Sequence, residues 1–102
     1  MRMRKQRLYK QQILMIMTDK DLKEIVGHSM YNRDELRRSR VCGCYYCQRI
    51  YQPSVLNPRE DYTDGGRTAI CPYCGIDAVI GDAIGVEITN KLLYRMYIHS
   101  FT

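Results

Sequence analysis

The chain has 102 residues, which is enough for one domain and too few for two. Hydrophobic residues make up 45% and charged residues 26%, a globular composition that excludes an intrinsically disordered chain. The longest strongly apolar run, residues 13–17, is shorter than a membrane span or a signal-peptide core. We therefore expect a cytoplasmic protein without a membrane partner.

The net charge of +5 is concentrated at the N-terminus. Five basic residues and no acidic residue lie within residues 1–10: Arg2, Arg4, Lys5, Arg7 and Lys10. The other 11 of the 16 basic residues are balanced by 11 acidic residues. Residues 1–17 are thus predicted to form a basic arm or helix, either the solvated start of a helix or a segment that contacts nucleic-acid phosphates.

Two short helices are predicted next. Thr18 and Asp21 have the spacing of a capping box and begin a helix over residues 19–26, which Gly27 would end in a left-handed conformation. Asn32 precedes acidic residues, and arginines follow, so it is predicted to cap a second helix over residues 33–39.

Short strands and a final helix follow. Strands are predicted over residues 48–51, 68–70 and 78–80, with a turn at residues 64–66, and residues 53–63 have no clear period. Thr89 is predicted to cap a last helix. Its apolar stripe consists of Leu92, Leu93, Met96 and Tyr97.

Two C-x-x-C pairs are the strongest signal in the sequence. Cys44 and Cys47 are separated by 23 residues from Cys71 and Cys74, an arrangement typical of a tetrahedral four-thiolate zinc site. Four protein ligands leave no open position, so the site is predicted to be structural. A redox dithiol and an iron–sulfur cluster are the alternatives. Gly75 can supply the positive φ that such a turn often needs.

The cysteine pattern indicates the fold class. We expect a small α+β domain over residues 18–102, in which a zinc ribbon with two knuckles on short β-hairpins is flanked by N-terminal helices and a C-terminal helix. Cys42 is the spare cysteine and is expected to be a small buried side chain. The alternatives are exchange with Cys44 as a ligand and a reactive thiol.

Three polar residues form the only candidate catalytic group. His28 lies between the first two predicted helices, followed closely by Asn32 and Arg33. The structural interpretation has His28 bonded to carbonyls at the end of the preceding helix. In the alternative, His28 transfers a proton while Arg33 binds an anion, as in a small hydrolase or nuclease that also uses an acidic residue of the ribbon.

Tyrosines surround the cysteine pairs. Tyr45 and Tyr46 lie in the first knuckle, and their rings are expected either to cover the metal site or to bind a partner. An exposed tyrosine face near Arg49 and Arg67 would stack on single-stranded nucleic acid or anchor a protein.

The cysteine segments resemble a known family. CGCYYC at residues 42–47 and CPYCGIDAVI at residues 71–80, with His28-Ser29 and Asn32 upstream, resemble a largely uncharacterised family of small bacterial and phage cytoplasmic proteins. The resemblance covers about residues 28–98 and implies a zinc ribbon in the cytosol but no activity. In a phage it would imply a protein that binds and modulates a host machine.

The function expected from these observations is a zinc-stabilised, non-enzymatic interaction module. A protein partner is the leading expectation, and nucleic acid is the alternative. The sequence contains no phosphate-binding loop, dinucleotide fingerprint or serine elbow that would indicate an enzyme.

Overall fold

The computed structural model describes residues 17–102, a small α+β fold. This part of the chain contains three α-helices: α1 (Asp19–Gly27), α2 (Arg33–Arg37) and α3 (Asn90–Phe101). It also contains five short strands: β1 (Cys42–Cys44), β2 (Ile50–Tyr51), β3 (Tyr62–Thr63), β4 (Thr68–Ala69) and β5 (Val79–Gly81). Single 3₁₀ turns cover Pro53–Val55 and Asp82–Ile84. The basic arm predicted within residues 1–17 lies, except for Met17, outside the described residues.

Helix α1 begins as the sequence predicts. The Asp21 amide donates to Thr18 Oγ1 at 3.2 Å, and the Thr18 amide donates to Asp21 Oδ2 at 3.0 Å, which completes the capping box. The predicted left-handed end at Gly27 is wrong, because Gly27 still belongs to the helix and has no positive φ. The Ser29 hydroxyl donates to the Val26 carbonyl at 2.7 Å instead.

Helix α2 begins at Arg33 as predicted but is shorter than predicted, and the side chain of Asn32 does not cap it. It ends at Arg37, and Asn32 makes no side-chain capping hydrogen bond. The prediction that the Asn32 side chain caps this helix is wrong, because its carboxamide group forms hydrogen bonds with two strands instead. Asn32 Nδ2 donates to the Val79 carbonyl at 2.7 Å, and Asn32 Oδ1 accepts from the Ala69 amide at 3.0 Å. The side chain thereby joins β5 to β4.

The strands form two antiparallel sheets. One sheet has the order β2-β1-β5, with Gly43 opposite Ile50 on one side and Ile80 on the other. The second is the β3-β4 hairpin, whose turn contains Asp64-Gly65-Gly66 with positive φ as the turn signal suggests. Two of the predicted strand segments contain β2 and β4, and the segment over residues 78–80 overlaps β5, which extends one residue further to Gly81. Strands β1 and β3 are additional.

The core lies between the three-stranded sheet and the helices. Thr89 caps α3 by accepting from the Leu92 amide at 3.1 Å, as predicted. Three of the four stripe residues, Leu92, Leu93 and Met96, are buried, while Tyr97 is half-buried. Helix α3 also packs against α1. Within residues 17–102, no helix is long and apolar enough to cross a bilayer.

Gly81 is a position where a side chain has no room. A Cβ at this residue would lie 2.8 Å from the Ser39 Cβ, and Ser39 is fixed by hydrogen bonds to the Glu35 carbonyl and the Ala83 amide. We expect Gly81→Ala to lower the free energy of unfolding by about 1–3 kcal/mol, measured by urea denaturation.

Gly27→Ala is the matched control for Gly81→Ala. No atom lies within 4 Å of a Cβ at Gly27, and its φ is not positive. The control should leave stability unchanged or slightly higher. Equal effects of the two substitutions would contradict the close packing of Ser39 on β5.

Candidate metal centre

Four cysteine sulfurs converge at one point in the fold. The Sγ atoms of Cys44, Cys47, Cys71 and Cys74 all lie within 4.8 Å of one another. The distance is 3.6 Å between Cys44 and Cys74 and 3.7 Å between Cys47 and Cys71. Ligands about 2.3 Å from a tetrahedral ion are separated by about 3.8 Å, so these sulfurs fit around a single metal ion.

The two knuckles have the same backbone geometry. The amide that follows each pair donates to the carbonyl of the first cysteine at 2.8 Å, from Gln48 to Cys44 and from Gly75 to Cys71. Both residues have positive φ, 71° at Gln48 and 79° at Gly75. The prediction for Gly75 is confirmed. Gln48 adopts the same conformation without being glycine, and its Nε2 donates to the Leu93 carbonyl at 3.3 Å, which ties the first knuckle to α3.

Burial and hydrogen bonding have opposite effects on the pKa values of the cysteine thiols. Burial raises the pKa of the Cys44 thiol, against the lowering effect of hydrogen bonds from the amides of Cys47 and Tyr46. Burial also raises the pKa of Cys71, but the nearby Tyr51 hydroxyl and hydrogen bonds from the following amides outweigh burial and leave that pKa below its usual value. A bound cation would offset the burial that disfavours the thiolate of Cys44.

The Tyr51 hydroxyl lies next to this site. Among residues 17–102 it is the one buried side-chain polar atom without a hydrogen-bond partner. Burial and the interaction with the Cys71 sulfur raise its pKa, so it stays a neutral O–H group that can stabilise the thiolate. Such neighbours orient and tune metal ligands.

Cys42 is separate from the four-sulfur group. Its side chain is fully buried, and its thiol donates to the Tyr51 carbonyl at 3.4 Å. Burial raises its pKa to about 12. A protonated, buried thiol agrees with the interpretation of Cys42 as a small core side chain.

The two tyrosines of the first knuckle have different surroundings. Tyr45 is 4% exposed, and its hydroxyl lies 3.1 Å from Ser29 Oγ, so it is a core residue and is not available to bind a partner. Tyr46 is 41% exposed, and its ring centroid lies 5.0 Å from that of Phe101 and 6.0 Å from that of Tyr97. The first knuckle thus contributes one exposed ring, packed against the end of α3.

The candidate catalytic residues do not converge. His28 Nδ1 lies 2.7 Å from Glu35 Oε2 on the surface. The bond from His28 to the end of the preceding helix is made by its backbone N–H, which donates to the Ile25 carbonyl at 2.9 Å, and not by the ring. Arg33 donates to the Gly66 and Pro58 carbonyls, and the amide of Asn32 is buried between strands. Each of the three side chains therefore has its own partners.

We expect His28→Ala to have a small effect. The His28 and Glu35 side chains are 45% and 24% exposed, and exposed ion pairs contribute at most about 1 kcal/mol. The melting temperature should fall by a few degrees at most, and metal content should be unchanged. A loss of metal or of the folded state would show that His28 supports the centre.

Arginine–tyrosine stacking is a second feature of the surface. Three guanidinium groups lie 4.2–5.2 Å from the centroid of a tyrosine ring: Arg33 over Tyr62, Arg49 over Tyr73, and Arg67 over Tyr31. The sequence analysis expects exposed tyrosines near Arg49 and Arg67, and in the structure each of these two arginines is stacked on an exposed tyrosine ring. The pairing of Arg33 with Tyr62 depends on contacts between distant segments, so no local pattern predicts it.

Comparisons with known proteins provide no relative from which a role can be transferred. No family model, curated protein or solved structure matches this chain. The resemblance to small bacterial and phage proteins stays a hypothesis, and the roles of the residues follow from their own geometry.

Proposed function

We propose that this chain is a non-enzymatic interaction module in which one zinc ion is bound by Cys44, Cys47, Cys71 and Cys74. The observation that supports it is the convergence of four sulfurs at distances suited to one tetrahedral ion. With four protein ligands, zinc has no position left for water or substrate, so its role is to stabilise the ribbon.

Zinc is favoured over the two alternatives by the sulfur geometry. A redox dithiol needs a single C-x-x-C pair, whereas here the four sulfurs of two such pairs all lie within 4.8 Å of one another. An iron–sulfur cluster contains several metal atoms and holds its cysteines further apart than one ion does. All-thiolate tetrahedral sites are typical of structural zinc.

An apolar stripe on α3 is the proposed surface for a protein partner. Tyr94, Ile98 and Phe101 recur at helical spacing and are 57%, 42% and 42% exposed. The exposed ring of Tyr46 extends this stripe through its contact with Phe101. Contiguous exposed apolar side chains on one helix face are typical of a surface that binds a groove on another protein.

The stripe is tested with two matched substitutions. Ile98→Ser should abolish capture of a partner protein, whereas Val55→Ser should not, since Val55 is 44% exposed but lies in the 3₁₀ turn after β2. Both variants should keep wild-type stability within about 0.5 kcal/mol. Capture of the same protein by Ile98→Ser would contradict the proposal. So would a large loss of stability, because it would mean that the stripe is covered within the chain itself.

Nucleic-acid binding is a second candidate function, favoured by the arginine–tyrosine stacks. Stacked guanidinium groups next to exposed rings are typical of proteins that bind single strands through phosphates and bases. The N-terminal residues Arg2, Arg4, Lys5, Arg7 and Lys10, which are outside the described residues, would add phosphate contacts. This candidate uses a different surface from the stripe on α3.

A further inference from the structure

Two neighbouring surface cavities are lined by arginines. The larger, of about 490 Å³, is bounded by the α2 region and by the segment around Pro53–Val55. The smaller, of about 390 Å³, lies beside it, and both are lined by Arg33. We call the two cavities together the basic groove. Its charged and aromatic side chains are Arg33, Arg37, Arg40, Arg67, Asp34, Tyr31 and Tyr62.

The basic groove carries more positive than negative charge. Asp34 lines the smaller cavity and Arg67 lies 3.4 Å from Asp64, so the excess of positive charge is in the larger cavity. The Arg33 guanidinium donates to two backbone carbonyls, at 2.8 and 3.2 Å, which fix its position without neutralising it. Arg37 reaches Asp34 only at 3.9 Å, with both side chains more than 70% exposed, a pair that contributes little. No carboxylate from the described residues lines the larger cavity. The groove therefore attracts an anion although residues 17–102 carry equal numbers of basic and acidic residues.

Aromatic rings lie beside this charge. Arg33 is stacked on Tyr62 in the larger cavity, and Arg67 is stacked on Tyr31 in the smaller one. Tyr31 is 62% exposed and has a φ of 51°, which is rare for a bulky residue, while its amide donates to Thr68 Oγ1 at 2.9 Å. Strained positions of this kind are concentrated at functional sites.

We propose that the basic groove binds single-stranded nucleic acid. Arg33, Arg37 and Arg40 contact consecutive phosphates, and a base stacks on the exposed ring of Tyr31. Guanidinium groups bind phosphate oxygens through paired hydrogen bonds, and a tyrosine ring accepts any base because every base has a π face. This alternation of charge and ring favours a nucleic-acid strand over a phosphopeptide, and the proposal rests on the second candidate function.

The phosphate contacts are tested with the zinc-loaded full chain and a fluorescently labelled oligothymidylate. In anisotropy titrations, the Arg37→Gln/Arg40→Gln double variant should bind about tenfold more weakly. The slope of log affinity against log salt should fall by about 1.4, that is ~0.7 for each lost contact. Arg38→Gln is the matched control, because Arg38 is exposed in the same segment but does not line the groove. Its affinity should stay within about twofold of wild type.

The base contact is tested with a pair of exposed tyrosines. Tyr31→Ala should weaken binding at least fivefold, because stacking of one base on an aromatic ring contributes about 1–3 kcal/mol. Tyr31→Phe should restore the affinity. Tyr94→Ala is the control, since Tyr94 is 57% exposed and lies on α3. Equal losses for the two alanine variants would contradict a specific base contact.

The outcomes separate this inference from the function on which it rests. The groove variants could bind the oligonucleotide as tightly as wild type, with only deletion of residues 1–10 weakening binding. In that case the chain binds nucleic acid, but the proposal that it does so through the basic groove is wrong. If wild type binds no oligonucleotide at low salt, both are wrong. Binding of a phosphotyrosine peptide in preference to the oligonucleotide, lost in Arg37→Gln/Arg40→Gln, would also overturn the proposal in favour of a protein ligand.

Discussion

Serine at any one of Cys44, Cys47, Cys71 or Cys74 is expected to abolish zinc binding and cooperative folding. The four sulfurs surround one point, and removing one ligand leaves three thiolates crowded in a partly buried site. Structural zinc contributes roughly 10–16 kcal/mol to small domains, as much as the whole stability of a typical domain. Elemental analysis should show about one zinc per wild-type chain and none in the variants, and circular dichroism should show no thermal transition for them.

Cys42→Ser is the control for these four substitutions. Its sulfur lies outside the cluster and donates to the Tyr51 carbonyl, which a serine hydroxyl can also do. We expect this variant to keep its zinc and to fold. Loss of zinc from Cys42→Ser, together with retention in Cys44→Ser, would transfer the ligand role to Cys42.

Asn32→Ala is expected to have the largest effect outside the metal centre. Asn32 is 1% exposed, and its removal leaves the Val79 carbonyl and the Ala69 amide without partners. Each buried unpaired group costs about 1–3 kcal/mol, so the free energy of unfolding should fall by roughly 2–4 kcal/mol. The effect is measured by urea denaturation of the zinc-loaded protein.

Asn90→Ala is the matched control for Asn32→Ala. Asn90 is exposed, and its only side-chain hydrogen bond in the described part of the chain is a long one of 3.4 Å to the Gln48 carbonyl. Its loss should cost less than about 1 kcal/mol. If Asn32→Ala were as stable as Asn90→Ala, the two sheets would not depend on the buried amide.

Features with a local cause could be predicted from the sequence. The capping box of Thr18 and Asp21 and the cap at Thr89 depend on residues three positions apart, and both form. The cysteine cluster joins two distant segments of the chain, but it could be predicted because each segment contains a C-x-x-C pair. The glycine turn between β3 and β4 is likewise local, since Asp64-Gly65-Gly66 supply the positive φ values themselves.

Features that depend on tertiary contacts could not be predicted. Asn32 lies directly before a helix, where its side chain would be expected to cap. Instead, both polar atoms of the side-chain carboxamide are hydrogen-bonded to strands that lie far along the chain. Tyr45 and Tyr46 are neighbours of the same type, and both rings lie close to Phe101, yet only Tyr45 is buried, with its hydroxyl beside Ser29. The positions of Arg33 and Arg67 in the basic groove likewise depend on distant segments. Carbonyls of residues 58 and 66 fix Arg33, and the two guanidinium groups stack on Tyr62 and Tyr31.

Zinc K-edge X-ray absorption of the purified full-length chain tests the central claim most directly. The four-cysteine centre predicts one zinc per chain with a first shell of four sulfur atoms at about 2.3 Å and no oxygen or nitrogen ligand. A shell containing a nitrogen or oxygen neighbour, or a protein that holds iron and no zinc, would contradict a closed structural zinc site and the interaction module built on it.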